Sequence, residues 1–159
     1  IERLVMLGHS MGGLVARSAL HHAALIARGG LRWPARVTDL VTLGTPHQGA
    51  LLESAGHLVD VLLGATPYAA PLARIGQVRS AGINDLRHGS IVSGKDEDTT
   101  IALPDGVRCY AVAASLGADS DATKGDGLVS IASALGQHRQ PARRLRFADD
   151  RQAVVPPAE

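Results

Sequence analysis

Apolar residues come first in a short run, Leu4-Val5-Met6-Leu7, which stops at Gly8. A strand buried in a parallel sheet reads this way, because both of its faces are covered. From Met11 to about Arg28 the period changes: Leu14, Val15, Ala19, Leu20 and Ala23 recur at three- to four-residue spacing. That spacing predicts a helix, which Gly29-Gly30 ends. Val37 to Leu43 is a second strand, closed by Gly44. Strand, helix and strand joined by short connections predict a right-handed parallel crossover unit.

The segment from Thr45 to Leu103 differs. Helical pieces around Leu51 to Leu63 and Tyr68 to Ala81 are separated by Gly and Pro, and the polar stretch Ser93-Gly94-Lys95-Asp96-Glu97-Asp98 follows. Residues of about 50–103 are therefore expected to form a helical cap inserted over the sheet, with the acidic stretch as a solvated loop. Its carboxylates lack metal-ligand spacing, so no metal is expected there. Val107 to Ala114 returns as a third strand, Gly117 to Gly127 is a Gly/Asp/Ser-rich loop, and a short helix is expected near Val129 to Leu135. Leu145-Arg146-Phe147 and Ala153-Val154-Val155 are candidates for a last strand. The alternation places the chain in the α/β class.

Composition narrows the picture. The 159 residues suit one domain or a large piece of one, and 45% apolar with 19% charged residues is a globular balance. A net charge of +1, with no basic run interleaved with aromatics, excludes the usual nucleic-acid footprint. The single cysteine, Cys109, cannot form an internal disulfide and reads as a small core residue. No run reaches the roughly 18 apolar residues of a membrane span; the longest candidate, Leu51 to Leu72, is broken by Glu53, His57, Asp60, Pro67 and Pro71. The chain opens at Ile1, inside what reads as a buried strand, so localisation is not legible.

Against this background Gly8-His9-Ser10-Met11-Gly12 stands out. It matches G-x-S-x-G, a pattern that is weak alone but specific between a buried strand and a helix. To project a serine from the tip of a strand, the backbone must reverse sharply, and Gly8 and Gly12 are expected to relieve the crowding. Ser10 would then sit at a helix N-terminus, where N–H groups and the helix dipole favour a developing oxyanion, with the Met11 N–H as donor. Gly13 would let the helix pack close to the strands. The bland alternative is a serine N-cap beside a glycine turn.

A serine hydroxyl needs a base, and the base needs an acid to orient it. Asp126, in Lys124-Gly125-Asp126-Gly127-Leu128-Val129, follows the third strand and precedes a helix. Open α/β sheets gather functional groups at the carboxyl ends of their strands, so Ser10 and Asp126 are expected on one rim. The alternative is that Asp126 only shapes a turn. Asp119 and Asp121 are nearby competitors in a less tight setting.

Gly8-His9-Ser10-Met11-Gly12-Gly13-Leu14-Val15-Ala16-Arg17 resembles the serine segment of bacterial lipases and of GPI inositol-deacylase-like hydrolases. Leu43-Gly44-Thr45-Pro46-His47-Gln48-Gly49 is similar to the segment after their next strand, and Gly125-Asp126-Gly127-Leu128-Val129-Ser130 to the one carrying their catalytic aspartate. Ser80 to Leu86 also looks like a recurring segment of these proteins. The resemblance implies an α/β-hydrolase fold, specifically the C-terminal half of a mostly parallel sheet with flanking helices and a helical cap. It implies esterase or lipase chemistry with Ser10 as nucleophile and Asp126 as triad acid. No cofactor or metal is implied. The substrate would be a small-molecule or lipid ester, which is compatible with transient contact at a membrane surface.

In this fold the catalytic histidine comes last, beyond the final strand. Only His138 follows Asp126, and it reads as an exposed loop residue on an earlier connection. His9 and His47 read as packing or site-lining groups; His21, His22, His57 and His88 fit ordinary helix or loop positions. The upstream loop that supplies a second oxyanion donor is also not found. The sequence therefore reads as a piece of a longer protein, expected to be poorly soluble and weakly active alone. An acyltransferase using the same serine, and a truncated or degenerate hydrolase domain with a non-catalytic binding role, stay open as alternatives.

Overall fold

The computed structural model describes residues 2–26, 30–49, 88–92, 100–117, 125–127 and 129–157. Four strands, β1 (Leu4–His9), β2 (Val37–Leu43), β3 (Arg108–Ala114) and β4 (Gln152–Val155), lie side by side in the order β1-β2-β3-β4. Every neighbouring pair is parallel. The register aligns His9 with Leu43, Leu43 with Val112 and Val112 with Ala153, so all four carboxyl ends share one rim. Helix α1 (Met11–Ile26) joins β1 to β2, and the single-turn helix α2 (Ile131–Ala134) lies between β3 and β4. Most of the expected cap, residues 50–87 and 93–99, lies outside the described residues.

One face of the sheet carries the core. Met6, Leu40, Cys109, Ala111 and Ala113 pack with Ala16 and Leu20 of α1, with Ile131 and Ala134 of α2, and with Leu145 and Phe147. Cys109 is a buried core residue, and burial pushes its thiol up to about 11, far from the reactive range. The last strand forms at Gln152–Val155; Leu145 and Phe147 are buried in the core instead, where the Leu145 N–H donates to the Gly136 carbonyl at 2.9 Å. The buried stripe of α1 is Gly13, Leu14, Ala16, Arg17, Leu20 and Ala23. Val15, expected on that stripe, is exposed, and its place is taken by Ala16 and Arg17.

The opposite face carries Asp39 and Arg108 at the amino end of the strands, is apolar beyond them, and lacks a helical cover among the described residues. In register along it lie Val5, Leu7, Val41, Leu43, Tyr110, Val112 and Val155, none of them fully buried. Leu7 is 67% exposed. At the amino end of the strands, the buried Asp39 receives Arg108 Nε at 2.8 Å and Arg3 Nη2 at 3.3 Å. Hydrogen bonds from Arg108 and Thr38 hold its carboxyl down at about 2. This cluster ties β1, β2 and β3 together at the end away from the rim.

An exposed apolar sheet face drives association. Leu7→Thr, which keeps a strand-forming side chain, is expected to lower self-association in light scattering while moving the unfolding midpoint by no more than about 2 °C. Unchanged scattering would show that this face is not what associates.

Candidate active site

The rim is built from the turn that follows β1. Ser10 has φ 53°, the single non-glycine residue with positive φ among the described residues. A side chain in this left-handed region costs roughly 1–2 kcal/mol, so the surroundings must hold it there. They do so from both sides. The Ser10 N–H donates to the Leu43 carbonyl of β2 at 2.8 Å, and the Ser10 carbonyl accepts from the Gly13 N–H at 3.2 Å.

Close backbone approach explains two of the glycines. A Cβ on Gly8 would lie 2.6 Å from the Gly13 nitrogen, and one on Gly13 would collide with Thr45 Oγ1. Gly12 is different: a Cβ there would meet nothing within 4 Å. The expectation that Gly8 and Gly12 together relieve the crowding is therefore corrected. The helix turns position 12 outward and brings position 13 under the strand ends, so the crowded pair is Gly8 and Gly13. Met11 opens α1, so its N–H has no carbonyl one turn earlier within the helix and remains beside Ser10.

Asp126 sits in the turn between β3 and α2. Its Oδ1 accepts from the Val129 N–H at 2.7 Å, and its own N–H donates to the Val129 carbonyl at 3.3 Å. Its Oδ2 lies 3.2 Å from the position a Cβ on Gly44 would take. Gly44 directly follows β2, the neighbour of β1, and donates to the Val112 carbonyl at 2.8 Å. Asp126 is thus on the same rim as Ser10, over the end of the adjacent strand. One carboxylate oxygen shapes the turn and the other is directed towards the rim, so the turn and site readings are compatible. Asp119 and Asp121 lie outside the described residues.

The histidines separate clearly. His138 accepts through Nδ1 from the Gln140 N–H within its own loop, while its carbonyl receives Arg144. His9 ends β1 on the exposed side. His21 and His22 meet edge to face on α1. His57 lies outside the described residues. His47 is interior, at 1% exposure, in the turn Thr45–Gly49 after β2. Arg17 Nη1 donates to its Nδ1 at 3.2 Å. Guanidinium has no acceptor, so Nδ1 must accept and Nε2 carries the proton. That proton faces Thr42 Oγ1 at 3.2 Å, and the Thr42 hydroxyl donates in turn to the Tyr110 carbonyl at 2.9 Å. Burial, with the Arg17 charge adding to it, drives His47 down to about 3, so it is neutral at physiological pH.

Arg17 was not singled out by periodicity, though the signal existed: it is a charged residue on the buried stripe of an amphipathic helix. It is 2% exposed, and burial lowers it only to about 10, so it stays charged. Its Nη2 donates to the Ile101 carbonyl at 2.7 Å. Gln48 joins the Thr45–Gly49 turn to the segment around α2. Its side chain donates to the Arg143 carbonyl at 2.6 Å, and its N–H donates to Ser133 Oγ of α2 at 3.1 Å.

A family model, the PGAP1-like alpha/beta domain, matches residues 1–109. The chain belongs to the PGAP1-like α/β domain family. Its parallel sheet and flanking helices are those of the α/β-hydrolase superfamily, as the three motif segments imply. A solved structure, the mature form of the lipase BlEst2 from Bacillus licheniformis, is similar at 23% identity and a TM-score of 0.46; the match covers 97% of this chain and 58% of the lipase. The chain thus spans under two thirds of that lipase's length. No curated protein matches it.

Two outcomes follow from the packing. Gly8→Ala is expected to cost about 1–3 kcal/mol of stability, whereas Gly12→Ala should be neutral or stabilising by up to about 1 kcal/mol, both read from urea unfolding. Equal losses at the two positions would contradict the pairing of Gly8 with Gly13. For His47, the unfolded chain binds a proton near pH 6.5 that the folded chain refuses until about 3. Its stabilising contribution is complete above pH 6.5 and lost as pH falls, with a slope of up to about 1.4 kcal/mol per pH unit. His47→Asn should flatten the stability profile between pH 6 and 4, measured by unfolding at each pH.

Proposed function

We propose that this chain carries the nucleophile and acid of a serine hydrolase that cleaves carboxylic esters, with a lipid or other apolar acyl group as substrate. One observation carries the reading: a single strained serine, Ser10 at φ 53°, at a strand-to-helix bend on the same rim as a carboxylate. A scaffold gains nothing from a left-handed serine, whereas a nucleophile gains exposure and a nearby helix N-terminus.

The chemistry then runs in two halves. A histidine base removes the Ser10 hydroxyl proton as Oγ attacks the ester carbonyl. The oxyanion is held by the Met11 N–H and a second donor. The same histidine returns the proton to the leaving alcohol, forming an acyl-enzyme, and water activated by that base releases the acid. Asp126 orients the base and stabilises its cationic form. None of the described histidines is assigned as base: His47 is locked neutral in the interior and His138 is engaged in its own loop. No metal or cofactor takes part in this scheme. Transfer of the acyl group to an alcohol instead of water would use the same residues.

A fluorophosphonate probe on the full-length protein tests the assignment. Labelling is expected at Ser10, abolished in Ser10→Ala, and slowed by roughly a hundred- to ten-thousandfold in Asp126→Asn. The asparagine keeps an oxygen for the Val129 N–H, so it removes charge while sparing the turn. Labelling that survives Ser10→Ala would overturn the nucleophile, and an undiminished rate in Asp126→Asn would overturn the acid.

A further inference from the structure

Arg17 is costly where it stands. It lies on the buried stripe of α1, seven residues and about two turns beyond Ser10. Among the described residues no carboxylate pairs with it, and its Nε has no hydrogen-bond partner. Methionine or leucine would fill the same place without the desolvation penalty of a cation, but would leave the His47 Nδ1 and the Ile101 carbonyl without a donor. What an aliphatic side chain cannot supply is two directed donors, one to His47 and one to the Ile101 carbonyl.

The His47 end of this connection leads to the rim. His47 is fixed between Arg17 of α1 and Thr42 of β2, and it belongs to the turn that begins at Gly44. Two residues of that turn touch the two halves of the site. Thr45 packs directly on Gly13, which underlies the Ser10 bend, and Gly44 lies against the Asp126 carboxylate. Gln48 and Gly49 anchor the far side of the turn to Ser133 of α2. The turn is therefore the spacer between nucleophile and acid. Its near side is held on α1 through His47 and Arg17.

We propose that Arg17 is a positioning residue for Ser10, acting through His47 to hold the Gly44–Gly49 turn that sets the spacing of Ser10 and Asp126. This rests on the reading of Ser10 as nucleophile. Neither Arg17 nor His47 touches substrate. Their contribution is the orientation of the rim, which catalysis feels far more steeply than stability does.

The test uses the full-length protein with Arg17→Met, His47→Asn and His47→Gln. The rate of fluorophosphonate labelling, kcat and KM on a short-chain aryl ester, and the thermal midpoint are measured for each. Arg17→Met removes the buried cation but leaves the His47 Nδ1 and the Ile101 carbonyl without their donor, so its midpoint is expected to fall by no more than about 5 °C. Its labelling rate and kcat should fall about ten- to a hundredfold with KM within about twofold. Asparagine at position 47 offers its Oδ1 where Nδ1 stood and can still accept from Arg17, whereas glutamine places its amide nearer the Nε2 position. His47→Asn should therefore keep most of the rate, and His47→Gln should lose about as much as Arg17→Met. The proposal is overturned if Arg17→Met labels at the wild-type rate, if its rate falls only in step with its midpoint, or if the two His47 variants behave alike. Should the wild type itself fail to label at Ser10, the nucleophile reading falls and this one with it; labelling of the wild type with no loss in Arg17→Met overturns this one alone.

Discussion

The rim depends on the approach of two backbones, where the end of β1 at Gly8 meets the first turn of α1 at Gly13. This contact leaves no room for a Cβ on either side, since Gly13 also lies beneath Thr45 at the exit of β2. With the helix pressed so close to the strand tip, the intervening residue is forced into the left-handed region, and that residue is Ser10. The strain at the serine is a consequence of tight packing beneath it. Hydrogen bonds to Leu43 and from Gly13 then make the bend a fixed part of the sheet.

Polar groups in the interior extend that rigidity. Arg17, His47, Thr42 and the Tyr110 carbonyl form a directed chain linking α1, β2 and β3, and each proton position in it follows from the one before. A network of this kind has a single satisfied arrangement, so it defines geometry even where it adds little net stability. It also holds His47 in the interior, where burial keeps the ring neutral. On the second face the Asp39–Arg108 pair organises the amino end of the strands, and towards the rim that face is apolar among the described residues. Val5 and Leu7 of β1 and Val155 of β4 are exposed, on a sheet class in which both faces are ordinarily covered.

Much of the fold was legible in the residues. Apolar runs closed by glycine marked β1 and β2, and the change from strand-like to helical period marked α1. The strand–helix setting of Gly8 to Gly12 and the Gly-flanked Asp126 marked the two rim residues, because backbone chemistry at glycine is local. Less was legible where contacts are remote. Leu145 and Phe147 resemble a strand by composition yet serve as core anchors, and Val15 resembles a core residue yet faces out. Short apolar runs carry no period that separates these outcomes.

By itself, then, the sequence determined which segments are strands and helices, and that a serine stands at a bend between them. Both follow from interactions among residues close in the chain. Only the tertiary structure decided that Gly13, not Gly12, shares the crowding with Gly8, that Asp126 lies against Gly44, and that Arg17 reaches His47 inside the domain. Each of these joins residues brought together by parallel strand pairing, and which partner a buried group finds depends on that three-dimensional register, which no local pattern encodes.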